Sequence, residues 1–165
     1  MGRVIQFFQA IWFVWKHGSD FVFRDPLTEV FSRRFLEIIW PREVGWAKRY
    51  NRQLTIAFLD IVDFKAINDM LGHLMGDKTL LEVAGVLSAC CRREVDVLVR
   101  WGGDEFLFVL PETDEEGAEH LMDRISDALL PLKIRIRYGI ATYAEGISLE
   151  ELVAMADSKG PRIHT

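Results

Sequence analysis

Leu-Thr-Ile-Ala-Phe-Leu-Asp-Ile, residues 54–61, is the stretch from which the rest of the chain can be read. It is short, almost wholly apolar and bounded by polar residues, which predicts a buried strand. It ends at an acid, Asp60, where a buried strand leaves the core. Ligands of open α/β sheets gather at strand ends. Asp60 is therefore either the cap of the next helix or a metal ligand.

Working outward, residues 64–71 read as a short helix. A second helix spans about 77–91, with Leu80, Val83, Ala84 and Leu87 on one face. Upstream, Asp25-Pro26 marks a boundary, because a residue before proline leaves the helical region. A helix follows over 32–50, with Pro41 as an interruption. Downstream, strands are expected at 97–100 and 105–110, with Gly102-Gly103 as the turn between them. Residues 114–130 form an amphipathic pattern. Over 133–143, Ile134, Ile136 and Tyr138 alternate with Lys133, Arg135 and Arg137, which predicts a strand. A last short helix covers 149–156. Strands and helices interleave around one sheet, an α/β arrangement with at least one hairpin.

Composition sets the frame. At 165 residues, 50% hydrophobic and 27% charged, the chain is one domain with a core large enough to need no staple. Disorder and low complexity are excluded. The formal net charge of −5 disfavours a nucleic-acid partner, although a metal and a few cations can still hold a nucleotide. Cys90 and Cys91 are neighbours, and neighbours rarely bridge without strain. A reducing, cytoplasmic setting fits.

Residues 1–24 stand apart as an apolar amphipathic helix. Val4, Phe7, Ile11 and Val14 run beside a second stripe of Ile5, Phe8, Trp12 and Trp15. The run is interrupted and shorter than the ~18 residues that cross a bilayer. It reads as a helix docked on its own domain or a partner's, or as a stalk or dimer contact. Attachment to a membrane surface ranks behind these, because Arg3 and Lys16 flank the segment without forming a basic face.

Two further places carry polar groups that a simple core would exclude. Arg100-Trp101-Gly102-Gly103-Asp104-Glu105 is a tight turn followed by two acids. Glycine supplies the positive φ that such a turn needs and lets a ligand approach the backbone. Adjacent acids repel each other unless a cation lies beside them, and Mg²⁺ takes one or two carboxylates plus phosphates. A solvated turn is the alternative. Residues 64–77 hold Asn68 and Asp77, an amide and a carboxylate suited to a purine edge, with Gly72 and Gly76 leaving room for a ring. Here the alternative is a C-cap at Gly72 and an N-cap at Asp77.

Together these pieces resemble the GGDEF domain of diguanylate cyclases. The resemblance runs from about Asp25 to Asp157. It rests on Asp25-Pro26-Leu27-Thr28 with Arg33-Arg34, on residues 59–77 (LDIVDFKAINDMLGHLMGD), on residues 100–106 (RWGGDEF) and on residues 136–142 (IRYGIAT). It implies a palm-like, nucleotide-cyclase-like fold, with a mostly antiparallel central sheet surrounded by helices over 25–165. The implied activity is condensation of two GTP into cyclic di-GMP with release of two pyrophosphates, dependent on Mg²⁺ or Mn²⁺. Turnover would belong to a homodimer in which each domain holds one GTP. Asp60, the Ile61 carbonyl and Asp104 would hold the metal. Asp104 would lie near the 3′-hydroxyl with Glu105 in support. Asn68 and Asp77 would read guanine, Lys65 would lie near the phosphates, and Gly102 and Gly103 would leave space for substrate. Arg93-Glu94-Val95-Asp96 stands where the family has its RxxD product-inhibition site, with Arg124 as a second contact. A catalytically weak module that senses cyclic di-GMP is the alternative function.

The sequence also departs from the family pattern. The acid usual two residues after Asp60 is Val62 here, and Asp63 follows it. The usual Leu-Thr-Gly-Leu opening is Leu-Thr-Glu-Val. After Ala156-Asp157 the family continues into a helix with a lysine and an arginine for the terminal phosphates. This chain reads Ser158-Lys159-Gly160-Pro161-Arg162, so a shortened C-terminal end is expected, with Lys159 and Arg162 off the matching spacing.

Overall fold

A computed structural model describes residues 23–92, 94–158 and 162–163. Residues 54–61 form the strand that the sequence predicts, and it lies inside the sheet. The strands are β1 (Phe31–Ser32), β2 (Leu54–Ile61), β3 (Val97–Gly102), β4 (Glu105–Pro111), β5 (Ile136–Thr142) and β6 (Arg162–Ile163). They form a six-stranded sheet in the order β1-β3-β4-β2-β5-β6. Only the β1–β3 pair is parallel; the other pairs are antiparallel. This is the mostly antiparallel palm that the resemblance implies.

The helices are α1 (Arg33–Tyr50), α2 (Phe64–Leu71), α3 (His73–Cys90), α4 (Glu115–Leu129) and α5 (Leu149–Ser158). They cover both faces. On one face, Ala57, Leu59, Phe106, Phe108 and Ile140 are buried with Leu80, Val83 and Leu87 of α3 and Met122 and Ile125 of α4. On the other, Ile56, Phe58, Leu107 and Val109 are buried with Leu36, Ile39 and Trp40 of α1 and Leu152 and Ala156 of α5. Strand alternation thus feeds two cores from one sheet, which is why residues 54–61 are apolar at both parities.

Several boundaries differ from the sequence reading. Pro41 lies inside α1 and does not interrupt it. Pro41 and Glu37, whose carbonyl loses a partner to the proline ring, are both exposed, so the break costs little there. Helix α3 begins at His73, and Asp77 lies within it instead of capping it. Gly72 joins α2 to α3 at φ 83°. Residues 133–135 are not strand: a 3₁₀ turn at Leu130–Leu132 precedes Lys133, which takes φ 57°. Polar alternation continues through this turn without strand pairing.

One close approach fixes the last helix. A Cβ on Gly139 of β5 would lie 1.9 Å from the carbonyl oxygen of Ala156, so only glycine lets α5 cross at this height. The residue after Ala156 is Asp157, and the crossing delivers it to the end of the sheet. The apolar segment over 1–22, residues 159–161, where the shortened C-terminal end was expected, and the side chain of Arg162 lie outside what the structure describes. Among the described residues, no helix is long and apolar enough to cross a membrane.

Candidate active site

The β2 strand ends beside the β3–β4 hairpin, and this junction gathers the acids singled out from sequence. Asp60 is the cross-strand partner of Glu105 on one side and of Arg137 on the other. Asp104 sits in the turn between β3 and β4, next to Gly103 at φ 50°. Asp60 caps no helix: the N-cap position of α2 is Asp63, which makes no side-chain cap bond. The capping alternative therefore fails for Asp60.

The hairpin is braced from the start of the domain. Arg100 donates from Nε and Nη2 to the Gly103 carbonyl at 2.9 and 2.7 Å, and from Nη1 to Asp25 at 2.9 Å. Asp25 also accepts from the backbone N–H and hydroxyl of Thr28 at 2.9 and 2.7 Å. Burial acts to raise the Asp25 carboxyl, but the bonds from Thr28 and Arg100 outweigh it and hold the carboxyl below its ordinary value. The Asp-Pro-Leu-Thr signature is thus a clamp on the turn that presents Asp104.

Two acids at the junction, Asp104 and Glu105, have the opposite character. Burial pushes Asp104 above its ordinary value, and the charge of Asp60 adds to this. Glu105 is pushed up by burial and then by Asp104, Asp60 and Asp157. Partial burial is the larger cause for both carboxyls, and repulsion between neighbouring acids adds to it. Asp60 and Asp104 are the carboxylates that this end of the sheet would offer to a hard divalent cation, with Ile61 following on the same strand end. Among the described residues no three acidic, histidine or cysteine side chains enclose a cation unaided. Mg²⁺ needs no such cage, since one or two carboxylates suffice when phosphates and water complete the shell.

Arg137 is the local counter-charge. Its Nε lies 3.1 and 3.0 Å from the two Asp60 oxygens, and its Nη2 also donates to Asp60. The bond to Asp60 raises its already high pKa further, and the charges of Asp157 and Asp104 add to it. Arg137 and Asp157 were missed as site residues in the sequence. The only signal for Arg137 was its parity with Arg135 on the polar side of the pattern.

Asn68 and Asp77, the pair expected to read a purine, are carried by α2 and α3. A Cβ on Gly76 would lie 2.0 Å from the Asn68 Oδ1, so Gly76 is the space into which the Asn68 amide fits. Asp77, the next residue, is exposed, as is Lys65 in the first turn of α2. Met70, Leu71 and Leu74 are exposed on the same helical hairpin.

The other predicted site divides. Arg93 lies outside the described residues. Asp96, with its side chain only 2% exposed, is gripped by Arg92 at 2.6 Å. Arg92 further donates to the Pro111 carbonyl at 3.0 Å and the Thr113 hydroxyl at 2.8 Å. Arg124 donates to the Cys90 carbonyl at 3.1 Å. Asp96 and Arg124 line one open groove of about 540 Å³, together with Arg52, Arg92 and His120. The cysteines are free, and burial pushes the Cys91 thiol up to about 12, so it is no nucleophile.

Comparison with known proteins places the chain in a family. The family described as "Diguanylate cyclase, GGDEF domain" matches residues 22–160. Diguanylate cyclase DgcP of Pseudomonas aeruginosa is 36% identical over 142 residues, covering 81% of this chain and 21% of that protein. Diguanylate cyclase DosC of Escherichia coli is 36% identical over 115 residues, covering 70% of this chain and 25% of that protein. This chain thus spans a fifth to a quarter of the length of these relatives. Among solved structures, diguanylate cyclase SiaD of Pseudomonas aeruginosa, solved with its activator SiaC, superposes with a TM-score of 0.81 at 30% identity, covering 95% of this chain and 62% of that one. A microbial GGDEF domain solved with cyclic di-GMP superposes with a TM-score of 0.75 at 31% identity, covering 85% and 88%. With the family's pattern matched over 22–160, the chain belongs to the GGDEF-domain family of diguanylate cyclases.

Proposed function

We propose that this domain is a diguanylate cyclase that joins two GTP molecules into cyclic di-GMP, releases two pyrophosphates and works as a homodimer. The observation that carries the reading is the meeting of Asp60, Asp104 and Glu105 at one sheet end, where burial and mutual repulsion push Asp104 and Glu105 up. Asp60, Asp104 and the Ile61 carbonyl are the groups that would hold Mg²⁺ or Mn²⁺. The chemistry such an ion supplies is neutralisation of the triphosphate and acidification of the 3′-hydroxyl.

The chain's own residues do the rest. Asp104 lies where the attacking hydroxyl is oriented, and Glu105 keeps the local potential negative enough to retain the cation. Gly102 and Gly103 keep side chains out of the substrate's way. Asn68 offers an amide to the guanine carbonyl and ring nitrogen, and Asp77 accepts from its N–H donors. Lys65 faces the phosphates. Two such domains meet so that each hydroxyl reaches the other's α-phosphate, and the segment over 1–24 serves as the contact that brings them together. Incubation with GTP and Mg²⁺, followed by chromatography for cyclic di-GMP, tests this reading. Asp104→Ala should lower turnover roughly a thousandfold, matching the several kcal/mol that a well-held cation contributes at ~1.4 kcal/mol per decade. A folded dimer that makes no cyclic di-GMP at any protein concentration refutes the activity.

The second reading is a cyclic di-GMP sensor, and the Arg137 fork on Asp60 favours it, because a metal-binding carboxylate is already neutralised. Product would bind at Arg93, Asp96 and Arg124, where arginine forks suit phosphate and guanine. The same site would give product inhibition in an active enzyme. Calorimetric titration of cyclic di-GMP into wild type and Arg93→Ala decides whether this site binds. Binding without turnover selects the sensor.

A further inference from the structure

We propose that Arg137 is a triphosphate-binding residue that guards Asp60: its fork covers the carboxylate in the nucleotide-free domain and turns to the terminal phosphates when metal and nucleotide arrive together. This rests on the reading of Asp60 as a metal ligand, and it names the residue that couples metal to triphosphate at that site.

The geometry has three parts. Arg137 and Asp60 are directly opposed on β5 and β2, and the guanidinium contacts both carboxylate oxygens. A divalent cation at Asp60 and a guanidinium on the same oxygens repel each other, so loading the metal alone requires the arginine to leave. Second, the two partners differ in freedom. The Arg137 side chain is 52% exposed and that of Asp60 is 19% exposed, so the arginine can turn outward without opening a cavity. Third, the neighbouring arginines have other duties. Arg100 holds the Gly103 carbonyl and Asp25, and Arg135 faces Asp63 at 3.5 Å.

A guanidinium fork matches phosphate as well as carboxylate. A triphosphate therefore offers Arg137 a new partner at the moment the metal claims Asp60. Each event removes an obstacle to the other, and that defines positive coupling between two ligands. Such a residue lets the site stay closed to free divalent ions yet open to the metal–nucleotide complex. It also supplies a terminal-phosphate cation from β5, in addition to Lys65.

The test measures binding, with no turnover. Mn²⁺ alone is titrated by the electron paramagnetic resonance signal of the free ion, then again with 3′-deoxy-GTP, which lacks the attacking hydroxyl. Arg137→Ala should bind Mn²⁺ alone more tightly than wild type and Mn²⁺ with 3′-deoxy-GTP less tightly. The coupling factor between them should fall roughly five- to a hundredfold, the ordinary range of linkage. GMP, which has no terminal phosphates, should bind both proteins alike. Arg137→Gln should repeat the result if the alanine variant folds poorly. A coupling factor equal to wild type in a folded variant overturns the proposal and leaves the cyclase reading intact. Parallel loss of Mn²⁺ and nucleotide binding also overturns it, since a merely structural ion pair behaves that way. Wild type that binds no 3′-deoxy-GTP with Mn²⁺ overturns both readings.

Discussion

The domain grips one aspartate with an arginine at each end of β4, and the two grips are built differently. Near Glu105, the first residue of β4, Arg137 reaches Asp60 across the sheet, and both groups keep contact with solvent. Near Pro111, its last residue, Arg92 reaches Asp96 within one short loop. There the aspartate is almost fully covered and also accepts from the Arg92 backbone N–H at 2.7 Å. On the proposal made above, the first pair exchanges its partners for metal and phosphate. The second is part of the loop's own structure, and a ligand at the proposed RxxD site would meet Asp96 as Arg92 already holds it.

The largest effect that would break this contrast is on stability. Arg92→Ala strips a buried carboxylate of its charge-assisted bonds and should cost about 2–3 kcal/mol in chemical denaturation. Arg137→Ala removes a more exposed pair and should cost less than about 1 kcal/mol. Equal losses, or the reverse order, would show that the exchangeable and structural grips have been assigned wrongly.

A smaller effect sharpens the comparison through pH. Asp104 is pushed up, mainly by burial, so the folded state holds its proton more tightly than the unfolded state. Its ionisation therefore costs stability as pH rises through the carboxylate range, and the cost vanishes below the ordinary value of 3.8. In a chelating buffer, Asp104→Asn should raise the denaturation midpoint at pH 7. The gain should shrink to nothing in acid. A gain that persists at low pH would mean that charge is not its cause.

The elements that carry Asp60, Asn68 and Asp77 were legible in the sequence because local signals agreed there. An apolar run made β2, and the short helix read after it is α2, Phe64–Leu71. The hairpin followed from its glycines. What stayed hidden depends on contacts across the sheet. Arg137 sits at the polar parity of β5, which reads as a solvated face until its neighbour is known to be Asp60. Asp157 reaches the site only because Gly139 admits α5. Arg92 was overlooked because its neighbour Arg93 matched the family motif. The strand expected at 133–135 failed because alternation of charge alone does not distinguish a strand from a turn that leads into one.

The pairing register has a last consequence. Gly102, Glu105, Asp60, Arg137 and Ile163 form one lateral row through five neighbouring strands. Whether a cation stands in that row is a question of odd and even along β5. A slip of one residue would bring Ile136 or Tyr138 opposite Asp60 and turn every side chain of β5 to the other face. The connection at 133–135 is therefore a phase-setter: a one-residue slip of β5 would take the cation out of that row, and a two-residue slip would bring either Arg135 or Gly139 opposite Asp60.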